Sequence, residues 1–281
     1  MSRIETAMEK AALLRQATDA PTVDPAEPAE PKQAGPRRRQ AAVSAQYGKL
    51  SPDNPFLVNL HDPHSSTAEE YRKLKSVLVK LTTGESFKNS IMVTSSLPNE
   101  GKSLTALNLA LTLAQELDHT VLLVDADLRR PSVHRYLNIE PGVGLSEVLM
   151  GEAQIGEAII PTGLGNLSVI RAGRSIDNPV ETFSSQHARA ILSELKHRYP
   201  DRYIIFDTPP VLPFAESRSL ANLVDGVLFV VMERLASQAN LKEALDSLKG
   251  CPLLGVVYNA ATVDSNDGRY AYYRGHDEKK G

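Results

Sequence analysis

Nine consecutive residues, Ser95-Ser96-Leu97-Pro98-Asn99-Glu100-Gly101-Lys102-Ser103, join an apolar run, Ile91-Met92-Val93-Thr94, to a helical pattern. A loop in that setting binds phosphate. Backbone N–H groups and a helix N-terminus point at the anion, Lys102 reaches its terminal oxygens, and Ser103 can ligate Mg2+. The expected contact set is Ser96, Pro98, Asn99, Glu100, Gly101, Lys102, Ser103 and Leu104. Ser96 replaces the first glycine of Gly-x-x-x-x-Gly-Lys-Ser, and serine still permits the tight turn. The competing reading is a chance Gly-Lys-Ser on a structural loop, and two acidic segments weigh against it.

The first is Val121-Leu122-Leu123-Val124-Asp125-Ala126-Asp127-Leu128-Arg129-Arg130-Pro131, and the second is Ile204-Ile205-Phe206-Asp207-Thr208-Pro209-Pro210. An acid that ends a buried parallel strand lies at the sheet's carboxyl edge, where α/β ligand sites form. Asp125, Asp127 and Asp207 should therefore converge beside the loop. Their structural alternatives are helix caps or turn residues, Asp127 above all. Phosphoryl transfer asks a protein mainly for positioning and charge neutralisation. Asp207 is best placed to hold Mg2+ beside Ser103, directly or through water; Asp125 is the first choice as base or metal ligand, with Asp127 next. Sequence alone does not separate these two. Tyr270, Tyr272 and Tyr273 sit within the last twelve residues as candidate phosphate acceptors.

Positioning these groups requires buried strands. Short Val-, Ile- and Leu-rich runs at 90–94, 120–125, 167–171, 203–207, 226–231 and 254–258 read as strands covered on both faces. Helical patterns occupy 102–117, 184–198, 214–223 and 235–248. Strand and helix in alternation predict an α/β fold: a mostly parallel sheet with helices on both faces. No repeat of fixed period is present.

At 281 residues, with 42% hydrophobic and 23% charged residues, the chain accommodates one sizeable domain plus an appendage, or two small domains. Its net charge of −3 argues against sequence-independent nucleic-acid binding. The single cysteine, Cys251, permits no internal disulfide and reads as a small buried residue before a strand. No apolar run of about 18 residues is present, so a cytoplasmic chain that meets membranes through a partner is expected. Residues 2–16 carry a capping-box spacing at Ser2 and Glu5 and an apolar face at Ile4, Met8, Ala11 and Leu14. They read as a short docking helix or a fraying terminus. Prolines at 21, 25, 28, 31 and 36 mark a disordered linker, and Arg37-Arg38-Arg39 is a solvated run or a lipid or partner contact. The expected organisation is an N-terminal segment over 1–50, a nucleotide-binding domain over 51–262 and a flexible tail over 263–281.

The three blocks, in this order, resemble the deviant phosphate-loop ATPases related to septum-site and chromosome-partitioning proteins. Within that group they are most similar to the bacterial tyrosine kinases of capsule and exopolysaccharide synthesis. The resemblance spans roughly residues 60–273. It rests on Ser95 to Ser103, on Val124, Asp125, Asp127, Arg129 and Pro131, and on Asp207 to Pro210. It implies a P-loop NTPase fold, ATP and Mg2+ bound at Lys102 and Ser103, and a metal and base cluster of three aspartates. Leu97 stands where partitioning ATPases carry an extra lysine, which favours the kinase branch over a partitioning ATPase or a purely nucleotide-gated switch. Asn259 in Gly255-Val256-Val257-Tyr258-Asn259 is the corresponding adenine contact; capping a turn is its alternative role. Glu69 and Arg72 resemble the family's Glu-x-x-Arg-x-x-Arg ring contact, with Lys75 in place of the second arginine and without its planar fork. An i, i+3 surface pair is the plainer reading. The resemblance further implies a separate membrane-embedded polysaccharide co-polymerase as activator and a cognate tyrosine phosphatase.

In that family a C-terminal tyrosine cluster is autophosphorylated. From Asn259, about 3.3 Å per residue carries Tyr270 to Tyr273 up to roughly 36–46 Å. A domain of this size is roughly 45 Å across. The tail can therefore reach a neighbouring subunit's site, and the charge that phosphate adds would then repel it from an acidic centre.

Overall fold

The computed structural model describes residues 48–84, 86–199 and 201–262. The N-terminal helix and linker and the tail tyrosines lie outside them. Seven strands form one sheet: β1 (Ser90–Ser95), β2 (Thr120–Asp125), β3 (Ile159–Pro161), β4 (Leu167–Ile170), β5 (Arg202–Asp207), β6 (Gly226–Met232) and β7 (Leu253–Asn259). Their order is β3-β4-β2-β5-β1-β6-β7, parallel throughout except for β3 against β4. The six expected strands are present. The added edge strand β3 has three residues and ends in a proline, too short to leave a period-2 pattern.

Alternate residues of each central strand feed opposite cores. Met92, Leu122, Val124, Ile204, Phe206, Val227 and Phe229 pack on one face. Ile91, Val93, Val121, Leu123, Tyr203, Ile205, Leu228 and Val230 pack on the other. The first face is covered by α5 (Leu145–Leu149), α6 (Ile155–Ala158), α7 (Pro179–Ser184), α8 (Gln186–Arg198), α9 (Ala215–Ala221) and α10 (Gln238–Ser247). The second is covered by α1 (Val58–His61), α2 (Ser66–Thr82), α3 (Lys102–Leu113) and α4 (Val133–Tyr136). Burial on both faces is what continuous apolar strands demand.

The helix predicted over 102–117 stops at Leu113. The Ala114 carbonyl accepts the Asn166 N–H, and the Asn166 side chain caps the Glu116 carbonyl, so the chain turns and leaves Leu117 exposed. The pattern over 184–198 divides at Ser185, whose hydroxyl caps the N-terminus of α8. Cys251 is half-buried rather than buried, because it sits in the turn that leads into the edge strand β7. Among the described residues no helix is long and apolar enough to cross a membrane.

Candidate active site

Strand β1 lies between β5 and β6 although β2 follows it in sequence, so the chain changes direction at β1. Ligand crevices of parallel sheets open at that point, beyond the carboxyl ends of the strands. The loop Ser96–Lys102 occupies it, and α3 begins at Lys102 with Gly101 as a left-handed cap, φ 88°. Here the glycine is required twice over. Its φ is unfavourable for a side chain, and a Cβ would collide with the Asn259 amide.

A cavity of about 670 Å3 opens over this loop, lined by Pro98, Asn99, Gly101, Lys102, Ser103 and Leu104 among others. Two members of the expected contact set face away from it. The buried Glu100 carboxylate accepts the Ser96 hydroxyl at 2.7 Å and the Leu97 N–H at 2.6 Å, and reaches the Met232 N–H at 3.4 Å. Glu100 is therefore an internal latch and Ser96 its partner; neither side chain lines the cavity. The serine that stands in place of the loop's first glycine supplies this bond, which a glycine would lack. Asn259 is likewise a brace: its amide donates to the Glu100 carbonyl at 2.9 Å, tying the end of β7 to the loop.

The three aspartates do converge. Asp125 and Asp207 are register partners across β2 and β5, and both are fully buried. Lys102 Nζ stands 3.1 Å from Asp127 Oδ2 and 3.9 Å from Asp207 Oδ1. Burial works to lower the Lys102 pKa, but Asp207, Asp127 and Asp125 together outweigh it and raise it. Asp125 is pushed up to about 8 by burial and by the Asp207 charge, against the backbone N–H groups of Val133 and Ser132 that favour its ionised form. Those N–H groups lie at 3.1 and 3.0 Å from Oδ2, and Asp127 N–H lies 3.2 Å from Oδ1. Asp125 thus also pins the start of α4. Burial raises the Asp207 pKa as well, with the Lys102 ammonium and the Ser103 hydroxyl pulling the other way.

Neither Asp207 oxygen makes a well-formed hydrogen bond, although both are buried. Buried polar atoms are nearly always satisfied, so a carboxylate in this state fits a bound cation. Among the described residues no three His, Cys, Asp or Glu side chains are grouped to hold a metal on their own. A cation here must take further oxygens from a ligand, as Mg2+ does when it bridges phosphates. Of the three acids only Asp127 lines the cavity.

The sequence missed one supporting pair. Arg129 reaches the buried Glu216 of α9 and lies over the Phe214 ring, 4.9 Å from its centroid, which fixes a cavity wall. An acid 87 residues downstream leaves no local signal. On α2, Glu69 and Arg72 pair with each other at 2.6 Å, and Lys75 pairs with Glu116 at 3.1 Å, all within one chain.

A mostly parallel sheet, a glycine-capped loop opening a helix and a lysine held among strand-end aspartates define a P-loop nucleotide-binding protein. A family profile described as an AAA domain matches residues 91–249. Tyrosine-protein kinase YwqD of Bacillus subtilis is 34% identical over 219 residues, covering 77% of this chain and 90% of the relative. The chain belongs to the bacterial tyrosine-protein kinase family. Succinoglycan biosynthesis transport protein ExoP of Rhizobium meliloti is 30% identical over 220 residues, covering 77% of this chain and 28% of the relative. The solved kinase domain of Escherichia coli tyrosine kinase ETK superposes with a TM-score of 0.68 at 28% identity, covering 79% of this chain and 88% of that one.

Proposed function

We propose that this chain is an ATP-dependent protein-tyrosine autokinase that phosphorylates Tyr270, Tyr272 and Tyr273 of a neighbouring copy and thereby regulates exopolysaccharide synthesis. The observation that carries this reading is the buried cluster of Asp125, Asp127 and Asp207 around Lys102 at the cavity wall. Loop N–H groups and Lys102 would hold the phosphates of ATP. Ser103 and Asp207, with Asp125 behind them, would hold Mg2+, which supplies charge neutralisation at the phosphate oxygens.

Asp127 faces the cavity and is the group assigned to orient the acceptor and take its proton. In the transfer, the tyrosine oxygen forms a bond to the γ-phosphorus as the bond from that phosphorus to ADP's terminal oxygen breaks. ADP leaves with the electron pair. Asp125, tied to three backbone N–H groups, keeps the loop over 127–133 in place.

Glu69, Arg72 and Lys75 on α2 are proposed to pack one subunit on the next in a ring. A separate membrane-embedded activator and a cognate phosphatase complete the cycle. The test is incubation of pure chain with ATP and Mg2+, with Lys102→Met and a variant with all three tail tyrosines changed to Phe. Phosphotyrosine is expected only where both Lys102 and the tail tyrosines are intact. An undiminished signal in the tail variant would exclude the tail as the main acceptor.

A further inference from the structure

Besides the loop residues, the cavity carries two arginines in its lining. Arg130 and Arg135 line it with Tyr136, Pro213 and Phe214. Among the described residues neither forms an ion pair, whereas Arg72, Arg129, Arg174, Arg198 and Arg234 each do. The Arg135 guanidinium donates once, to the Pro131 carbonyl at 3.1 Å. Arg130 is anchored through its backbone N–H on Asp127 at 3.0 Å, and both residues line the same cavity. A second cavity, about 270 Å3, is lined by Asn54, Arg135 and Tyr136, so the two cavities share Arg135 and Tyr136.

The strand order gives this groove its direction. Asn259 ends β7 on one side of β1, while Arg130 and Arg135 follow β2 on the other. Asp127 follows β2 on the same side, so an acceptor placed at Asp127 lies beside Arg130 and Arg135 in the cavity lining. The tail segment 269–274, Arg-Tyr-Ala-Tyr-Tyr-Arg, carries two arginines and no acid, so before modification it has no charge complementarity to this wall. One phosphate on a tyrosine adds up to two negative charges and three acceptor oxygens. Arginine forks bind such groups bidentately.

Resting on the kinase reading of the same site, we propose that Arg130 and Arg135 form an anion subsite that holds one phosphotyrosine of the tail. A tyrosine two or three residues away then sits at Asp127. That spacing covers about 7–10 Å of extended chain. Tail phosphorylation is then self-promoting, the first phosphate speeding the next. Two arginines neutralise one phosphotyrosine, so a second one meets the acidic cluster uncompensated and releases the tail. The subsite itself makes and breaks no bond.

The test uses synthetic peptides of residues 263–281, unmodified or carrying phosphate on Tyr273, with the full chain and an Arg130→Gln/Arg135→Gln double variant. Binding is read by fluorescence anisotropy with Mg·ADP present, and transfer to the remaining tyrosines by mass spectrometry. The phosphopeptide should bind the unsubstituted chain about tenfold more tightly, the worth of a charge-assisted bond to phosphate. Its kcat/KM should exceed that of the unmodified peptide by a similar factor. In the double variant both ratios should fall to about one. Equal binding of the two peptides by the unsubstituted chain, or an unchanged ratio in the variant, overturns the subsite. Preferential binding without any transfer leaves the subsite standing and overturns the kinase reading instead.

Discussion

Asp207→Asn should make the chain more stable and less active. The wild-type carboxylate is fully buried, neither oxygen is well hydrogen-bonded, and Asp125 is its register partner. A neutral isostere removes one of two facing acids at the loss of a 3.9 Å contact with Lys102, which keeps its 3.1 Å pair with Asp127. A buried unsatisfied group costs about 1–3 kcal/mol when neutral and more when charged; the amide stays unpaired, so the gain is that difference, on the order of 1–3 kcal/mol, and each kcal/mol shifts Tm by roughly 2–4 °C in a domain of this size. Without nucleotide, in EDTA at pH 8, the variant should therefore melt roughly 2–12 °C above wild type. The gain should shrink at pH 5, where Asp125, raised to about 8, holds its proton and no longer repels the Asp207 carboxylate. With Mg·ATP the order should reverse, because the variant has lost its cation-binding oxygen, and turnover should fall on the order of a hundredfold. Differential scanning calorimetry with and without Mg·ATP reads the stability order, and a timed phosphorylation assay reads the turnover. A variant that melts below wild type at pH 8 without ligand would refute the claim that Asp207 is strained for the sake of a cation.

The wild-type chain should show the matching pH dependence. Native Asp125 holds its proton up to about pH 8, whereas the unfolded residue releases it near 3.8. Stability without ligand should therefore fall as pH rises through that window, which urea unfolding at pH 5, 6.5 and 8 measures; a rise across the window would contradict the burial argument. Glu100→Ala strands the Ser96 hydroxyl and the Leu97 N–H, and should cost about 1–3 kcal/mol in urea unfolding while raising the KM for ATP. Arg72→Ala removes an i, i+3 pair with Glu69 and an exposed hydrogen bond to the Pro63 carbonyl, and should change stability by less than about 1 kcal/mol. Loss of assembly in sedimentation velocity at unchanged stability is expected if Arg72 lies between subunits, and unchanged assembly would remove it from the interface.

The layout of the fold was legible because strands buried on both faces leave runs such as Val121 to Val124, and because acids end two of those strands. Edges and caps were not. β3 is too short to show a period, and the end of α3 depends on Asn166, fifty residues beyond Glu116. At the site the residue types were readable while side-chain directions were not. Glu100 and Asn259 stand in segments that suggest ligand contacts, and the Glu100 carboxylate and the Asn259 amide N–H also tie the loop to its surroundings, which no sequence pattern shows. Arg129 read as part of a motif, and only its distant partner Glu216 explains it.

The central claim is that the cluster around Lys102 transfers phosphate to tyrosine. Purified chain given γ-labelled ATP and Mg2+ should be followed by the partition of label between protein and free phosphate, with peptide mapping of the labelled protein. Label is expected on Tyr270, Tyr272 and Tyr273, growing faster than linearly with protein concentration and absent in Lys102→Met. Label recovered only as free phosphate would contradict it and make the chain a hydrolase.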